Sequence, residues 1–433
     1  MHIFFSGIGG GAIGPLAIMA KQAGYEVSGS DKQESLYIDN LRKQGINPLI
    51  GQTTEAIAKL HAEHPIDWVV YSSAIPKENP NHPELVFAEE HGIKHSKRDE
   101  LLNILIKDNN LKLIAIAGTH GKTTTTAMVV WLFRQLGQNI SYSVGAKLPF
   151  GPQGHFEPGS TYFVYECDEF DRNFLAFDPY FSLITGISWD HHEIFPTRED
   201  YNQAFQEFIS QSEKVIIWDR DLQYLDQPMD DHMYVADLAD PTIDNIGLDG
   251  RFNREDAWLA IRTVSDLTGK TFEELRAIIE TFPGSKQRME LLAPGLYTNY
   301  AHTPEKIRGG MSAAKEIAAK DGKNLVVIYE PLTNRRQHYI KEDYKDCFEG
   351  AKKLYWVPTY LAREDPTQEL LKPADLIPYL DNAAVAEPAK LDDALMQKIR
   401  QHLDQGDLVV AMGASGGGSM DEWLRDAFAS KTN

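Results

Sequence analysis

Short apolar runs alternate with amphipathic stretches along most of the chain. "HIFFSG" from residue 2, "YEVSGSD" from 25 and "DWVVYSSAI" from 67 are apolar runs that end in small polar residues, the pattern of buried strands. Between them, "PLAIMAKQA" and "SLYIDNLRKQ" carry apolar residues at helical spacing. Such alternation predicts a parallel sheet with helical crossovers. The polar "IKDNN" at 106–110 interrupts the series. A second one follows in "LKLIAIAG", "TYFVYECDE", "FSLITGISWD" and "KVIIWD", and closes in the helical "NREDAWLAIRTVSDL". Beyond "FPGSKQRMELL" a third contains "NLVVIYEP", "KLYWVP" and "DLVVAMGAS". The predicted fold class is α/β in three domains, over residues 1–106, 107–292 and 293–433.

Length agrees with this division, since 433 residues exceed what one ordinary core encloses. The composition, 42% hydrophobic and 24% charged, is that of a globular protein. A formal charge of −20 argues against a nucleic-acid partner. Small nucleotides stay possible, because a few amides, one lysine and Mg²⁺ can hold phosphate in an acidic protein. The two cysteines, Cys167 and Cys347, make no disulfide framework, and CxxC is absent. No basic leader with an apolar core opens the sequence, and no apolar run is long enough to span a bilayer. The expectation is a cytoplasmic enzyme without membrane insertion.

Two glycine-rich turns carry candidate chemistry. In "GIGGGAIG", Gly9, Gly11 and Gly14 satisfy GxGxxG, and Gly7, Gly9 and Ala12 its GxGxxA form. Glycines let a backbone approach a diphosphate at a helix N-terminus, and Asp31, ending the next strand, is where a ribose-binding acid is expected. A bare strand–helix turn, or an NAD site in a dehydrogenase, would read the same way. The second turn, "GTHGKTTT" from Gly118, is a shorter GxxGKT form, with Ile116 where the first glycine of GxxxxGKT would stand. Its amides suit phosphate, Lys122 suits the β and γ oxygens, and the Thr123 hydroxyl suits Mg²⁺. ATP is the expected ligand.

Downstream, "YECDEFDRNFL" places Glu166, Asp168, Glu169 and Asp171 at a predicted strand end, and "SWDHHEIFP" places His191 at the next. Strand ends on one edge of a parallel sheet converge, so Glu166 and His191 are expected beside the phosphate loop as metal ligands. A solvated acidic loop is the alternative. Zinc is disfavoured, because HExxH and cysteine ligands are missing. The C-terminal "GASGGGSMDEW" lacks a lysine and reads as an ordinary strand-end turn.

The ordered set "IFFSGIGGGAIGPLA", "VVYSSAIPKENP", "AIAGTHGKTTTTAMV", "ECDEFDRNFL", "DHHEIF", "GRFNREDAWLAI" and "NYAHTPEKI" resembles the Mur ligase family over essentially the whole chain. The resemblance implies ATP-dependent amide formation in peptidoglycan precursor synthesis. It implies a Rossmann-like N-terminal domain for a UDP-sugar, a central P-loop-type ATPase domain, and a Rossmann-like C-terminal domain that meets the amino acid and closes on ATP. Two phosphate cradles then make sense: one for UDP-N-acetylmuramate, one for ATP.

By the same resemblance, Gly7, Gly9, Gly10, Gly11, Asp31, Ser72 and Ser73 contact the UDP-sugar. Gly118, Thr119, His120, Gly121, Lys122, Thr123 and Thr124 hold the ATP phosphates, Asn253 contacts adenine, and Arg288 reaches the γ-phosphate. Thr123 is the first Mg²⁺ ligand, with Glu166 and His191 at a second Mg²⁺ site. Tyr300, His302 and Arg336 surround the incoming amino acid, where a guanidinium suits its carboxylate. Lys122, Arg288, Glu166 and His191 are the implied catalytic set. The chain departs from the family pattern at Asn299 for an aspartate, Phe252 for a histidine, Asp256 for an asparagine, Gly186 for an asparagine and Glu193 for an aspartate. L-Alanine is the implied amine, with the tripeptide L-Ala-γ-D-Glu-meso-diaminopimelate as the alternative, to which "EPLTN" and "KQRME" lean. A non-catalytic nucleotide-binding regulator is a further reading of the same motifs.

Overall fold

The structure, a computed structural model, describes residues 1–192, 194–284, 289–362, 364–413 and 417–429. It divides into two compact units. One holds Met1–Asp240 with Leu259–Phe282, the other Pro241–Trp258 with Pro283–Asn433.

The first unit contains two sheets. Strands β1 (His2–Ser6), β2 (Glu26–Asp31), β3 (Leu49–Ile50), β4 (Trp68–Tyr71) and β5 (Lys94–Lys97) pair in the order β3-β2-β1-β4-β5. All four pairings are parallel. Strand β1 is buried from end to end, as "HIFFS" requires in a central strand covered on both faces. The chain runs from β1 to a neighbour on one side, then crosses to β4 on the other. The first glycine-rich turn leaves β1 at that reversal, where open α/β sheets bind ligands.

The second sheet is built from β6 (Lys112–Ala117), β7 (Ser141–Ser143), β8 (Gly154–His155), β9 (Tyr162–Glu166), β10 (Phe181–Ile184), β11 (Val215–Trp218) and β12 (Met233–Ala236). Their order is β12-β11-β10-β6-β9-β7-β8, parallel except for the β7–β8 hairpin. Strand β6 lies between β9 and β10, so it is again a switch point. The phosphate loop, the Glu166 turn and the segment after β10 therefore all emerge at one edge.

In the second unit, β13 (Glu290–Ala293), β14 (Leu296–Asn299), β15 (Leu325–Tyr329), β16 (Lys353–Trp356), β17 (Ala386–Pro388) and β18 (Leu408–Met412) pair as β13-β14-β18-β15-β16-β17. Only β13–β14 is antiparallel. Asn299 of β14 and Tyr329 of β15 both face Met412 of β18 in register, so the segments after β14 and β15 leave the same edge. A core of Val327, Tyr329, Phe348, Trp356 and Val410 packs one side of this sheet.

The fold class read from the sequence is the observed one, α/β with parallel sheets. The polar edge strand β5 ("KHSK") and the short β3, β7, β8 and β17 carry too little apolar pattern to be read as strands.

Candidate functional site

The phosphate loop owes its shape to two elements. The buried run Leu113–Ala117 fixes β6, and the helix Lys122–Gln135 starts directly after Gly121. Gly121 has φ +82, a left-handed conformation that glycine adopts without the Cβ clash of other residues. Thr119 is anchored on both sides. Its hydroxyl donates to Ser188 O at 2.8 Å, meets Tyr201 Oη at 2.7 Å, and accepts from Ser188 N at 2.9 Å. The Thr185 hydroxyl donates to His120 O. His120 packs so closely on Gly186 that a Cβ there would sit 2.7 Å from the ring. This is a steric reason for glycine where the family pattern has asparagine. Thr124, partly exposed, occupies the first turn of the helix.

At the start of that helix, Lys122 Nζ donates to Gly118 O at 2.5 Å and to Glu169 Oε2 at 2.6 Å. Burial opposes the ammonium charge, but Glu169, Asp168 and Glu166 outweigh it and leave the Lys122 pKa raised. The lysine is thus held charged. Thr123 Oγ1 donates to Glu166 Oε1 at 2.7 Å, and Gly145 N donates to Glu166 Oε2 at 2.5 Å.

The acidic turn is more intricate than its sequence suggests. Asp171 and Arg172 both have positive φ, +59 and +57, inside the short helical segment Phe170–Ala176. The tight reversal sends Glu169 inward, where its side chain is fully buried. His191, also at positive φ, brings Nε2 to 3.7 Å from Glu169 Oε1 and packs edge-on against Phe170. Asp168, Glu169 and His191 offer ligand atoms that all lie within 4.8 Å of one another. Two carboxylates and an imidazole in that space fit a divalent cation, and Thr123 with Glu166 adds hard oxygen donors beside the loop. The structure thus sets His191 against Glu169 and sets Glu166 against Thr123. Glu169 and Tyr201 are the residues that spacing alone did not single out.

The first glycine loop is tied down by backbone contacts. Gly7 N and Ile8 N both donate to Ser30 O at 2.9 Å, and Gly10 N donates to Gly7 O at 3.0 Å. Asp31 is engaged by amides: Oδ2 accepts from Gly9 N and Oδ1 from Lys32 N, each at 2.8 Å. Beneath the loop, Ser6 and Ser30 each donate to the fully buried Glu84 at 2.5 Å. Burial raises the Glu84 carboxyl above its ordinary range against those two hydrogen bonds. Ser72 and Ser73 follow β4, and a Cβ at Gly7 would lie 3.8 Å from that of Ser72. Gln153 Nε2 donates to Gly11 O at 3.1 Å, so the second sheet's β7–β8 segment holds the loop. Between the loop and the acidic turn lies a cavity of about 360 Å³, whose walls include Gly11, Tyr37, Arg98, Tyr165, Glu166 and Asp168.

Asn253, Tyr300, His302 and Arg336 belong to the second unit. Asn253 Nδ2 donates to Asp249 O at 2.7 Å. Tyr300 and His302 follow β14 with ring centroids 4.5 Å apart, and His302 is 4% exposed. Arg336 lies in the helix Asn334–Ile340, capped by Thr333 Oγ1 accepting from Arg336 N at 3.4 Å. That helix follows β15, so both groups leave one edge of the sheet. Asn299 lies against Gly310, whose Cβ would come within 2.4 Å of its amide nitrogen. Arg288, Glu193 and residues 414–416 of the glycine-rich turn lie outside the described residues.

Residues 2–110 match the Mur ligase family catalytic domain, and residues 116–232 match the Mur ligase middle domain. The UDP-N-acetylmuramate–L-alanine ligase of Caldicellulosiruptor saccharolyticus is 30% identical over 455 aligned residues, covering 95% of each chain. That of Agathobacter rectalis is 29% identical, covering 96% of this chain and 95% of the relative. In fold, the chain is similar to the UDP-N-acetylmuramate–alanine ligase of Thermotoga maritima. The TM-score is 0.73 at 21% identity, over 100% of this chain and 99% of that one. It is also similar to a murein peptide ligase of Psychrobacter arcticus, with TM-score 0.62 at 20% identity, over 98% and 99% of the two chains. With two domain models matched in order and near-complete coverage of relatives at up to this identity, the chain belongs to the Mur ligase family.

Proposed function

We propose that this protein is an ATP-dependent ligase that joins the carboxylate of UDP-N-acetylmuramate to the amine of L-alanine, releasing ADP and phosphate. The observation that carries the reading is the shared unit. A lysine-bearing phosphate loop, a partly buried acid–histidine group and a glycine-loop cavity lie in a single unit. An activated acyl group needs those three things: a triphosphate, charge compensation and a seat for the acid.

The chemistry follows from leaving groups. A carboxylate cannot expel oxide, so its oxygen attacks the γ-phosphorus, ADP departs, and an acyl phosphate forms. The amine then attacks the carbonyl carbon. The tetrahedral adduct collapses to an amide and expels phosphate, which carries away one former carboxylate oxygen. Catalysis of this kind rests on positioning and on countering negative charge. Lys122 supplies a fixed ammonium, and the loop amides supply dipoles. Mg²⁺ at Thr123 and Glu166, and a second ion at Asp168, Glu169 and His191, would neutralise the phosphate oxygens when bound. Arg288 is proposed at the γ-phosphate, Asn253 at adenine, and Tyr300, His302 and Arg336 at the amino acid. Residues 1–106, 107–292 and 293–433 are proposed as the UDP-sugar, ATP and amino-acid domains of a cytoplasmic enzyme.

No helix among the described residues is long and apolar enough to cross a membrane. The test is ADP release with UDP-N-acetylmuramate and ATP, comparing L-alanine, other amino acids and the muramyl tripeptide. Turnover with L-alanine supports the reading. Turnover with the tripeptide alone would move the chain to the tripeptide-adding members, and no substrate-dependent release would leave a nucleotide-binding regulator.

A further inference from the structure

Arg98 takes no part in the motifs that define the family resemblance, yet its setting is unusual. It is the first residue of the helix Arg98–Asp108, where the dipole disfavours a cation and favours acids such as Asp99 and Glu100. Its side chain is only 23% exposed. Its one described ion pair is Nε to Asp99 Oδ1 at 3.4 Å. Among the described residues, neither terminal nitrogen of the guanidinium forms a hydrogen bond. Neither terminal nitrogen is shut from solvent, so the planar fork keeps its donors open to an acceptor that enters beside it.

The cavity supplies the place for that acceptor. Among the described residues, Arg98 is the one cationic side chain in its walls, which also include Glu166, Asp168 and Tyr165 around about 360 Å³. Burial opposes the charge, but the Asp99 and Asp168 carboxylates favour it, and the guanidinium stays charged. Its position is also braced. Lys97, the residue before this helix, reaches Asp171 with Nζ at 2.8 Å, which ties the helix start to the acidic turn.

We infer that Arg98 binds the carboxylate of the UDP-sugar substrate and holds it beside the phosphate loop, an assignment that rests on the function proposed above. The diphosphate would have its own cradle, in the glycine-loop amides and the N-terminus of the helix Ile13–Gln22, which also line this cavity. A carboxylate brought towards Glu166 and Asp168 meets like charge, and Arg98 is the cavity residue that offsets it with planar, bidentate geometry.

Two sugar nucleotides separate this role from structural support. UDP-N-acetylglucosamine has the same uridine, diphosphate and amino sugar but no carboxylate. Binding of both should be measured calorimetrically to the full chain, to Arg98→Met and to Arg98→Lys, with ATP binding as a control for folding. Arg98→Met should weaken UDP-N-acetylmuramate by roughly 10- to 100-fold, as loss of a charged hydrogen-bonding partner does. It should leave UDP-N-acetylglucosamine and ATP within about twofold, a margin well inside a tenfold affinity step. Arg98→Lys should recover part of the loss. Equal weakening of both sugar nucleotides, or of neither, with ATP binding intact, would overturn the assignment alone. Arg98→Lys no better than Arg98→Met would also count against it. A wild-type chain that binds neither sugar nucleotide would overturn the functional reading itself.

Discussion

Lys122 and Glu169 form a buried ion pair, Nζ to Oε2 at 2.6 Å, at the floor of the phosphate loop. The lysine's position comes from the loop and the glutamate's from the reversal at Asp171 and Arg172. Phosphate oxygens would therefore meet a lysine already charged, oriented and partly desolvated. Such preorganisation lowers the reorganisation needed when charge moves in the transition state.

Removing the ammonium should separate catalysis from stability. Lys122→Met is expected to lower kcat/KM by roughly 10³-fold, the scale of losing a preorganised charge. It also strands Glu169, which is expected to cost about 3–5 kcal/mol. The double variant Lys122→Met/Glu169→Gln should recover most of that stability and none of the turnover. ADP release and urea unfolding of the same samples check both halves.

The acid–histidine group predicts metal dependence. Chelation with EDTA should reduce ADP release to background, and added Mg²⁺ should restore it. His191→Ala and Glu169→Gln should raise the Mg²⁺ concentration for half-maximal rate by about 10-fold or more. Titrating Mg²⁺ at saturating substrates measures this directly. A chain that turns over fully in EDTA would contradict the metal assignment.

In the glycine loop, Gly9 is fixed by close approach. A Cβ there would sit 2.8 Å from Asp31 Oδ2, the atom that accepts from Gly9 N. Gly9→Ala should therefore push the loop off Asp31 and weaken UDP-sugar binding by about 10-fold, the cost of a lost hydrogen bond plus strain. ATP affinity should be unchanged. Equilibrium binding of each nucleotide to the variant tests the division of labour between the two loops.

How much of this was legible in the sequence depends on how local each feature is. The phosphate loop was legible, because β6, Gly121, Lys122 and Thr123 are consecutive and the chemistry needs them so. The central strands were legible for the same reason: an apolar run such as "LIAIA" has one comfortable place, inside a covered sheet. Glu169 was not distinguishable from Glu166, Asp168 and Asp171, since all four share one short stretch. Their directions are set by two left-handed residues that no spacing rule marks. Arg98 was invisible because "KRDELL" reads as an ordinary helix start, and its meaning comes from a cavity whose walls lie far apart in the chain. Strand β14 escaped notice because "LYTN" is four residues long with little apolar pattern, although it pairs with the neighbouring β13 as well as with the distant β18.

Glu330 predicts a pH effect on stability. It is 3% exposed, and both its oxygens accept from Met420 N at 3.1–3.2 Å. Burial, with Asp421 adding to it against the Met420 hydrogen bond, pushes its carboxyl up from 4.5 to about 7. Between those values the folded chain binds more protons at this site than the unfolded chain. Stability from this group is full below about pH 4.5, falls as pH rises, and is lost above about 7. Glu330→Gln, which stays neutral, should match wild type near pH 5 and exceed it by on the order of 2 kcal/mol at pH 8. Urea unfolding of both proteins at the two pH values gives the comparison.

The central claim is that the phosphate loop delivers a phosphoryl group to the sugar's carboxylate. The direct measurement uses UDP-N-acetylmuramate carrying ¹⁸O at both oxygens of that carboxylate, with ATP and L-alanine, and reads the label in the products by mass spectrometry. The account predicts one ¹⁸O in each inorganic phosphate released and none in ADP. Label appearing in AMP, or phosphate free of label while amide accumulates, would contradict it.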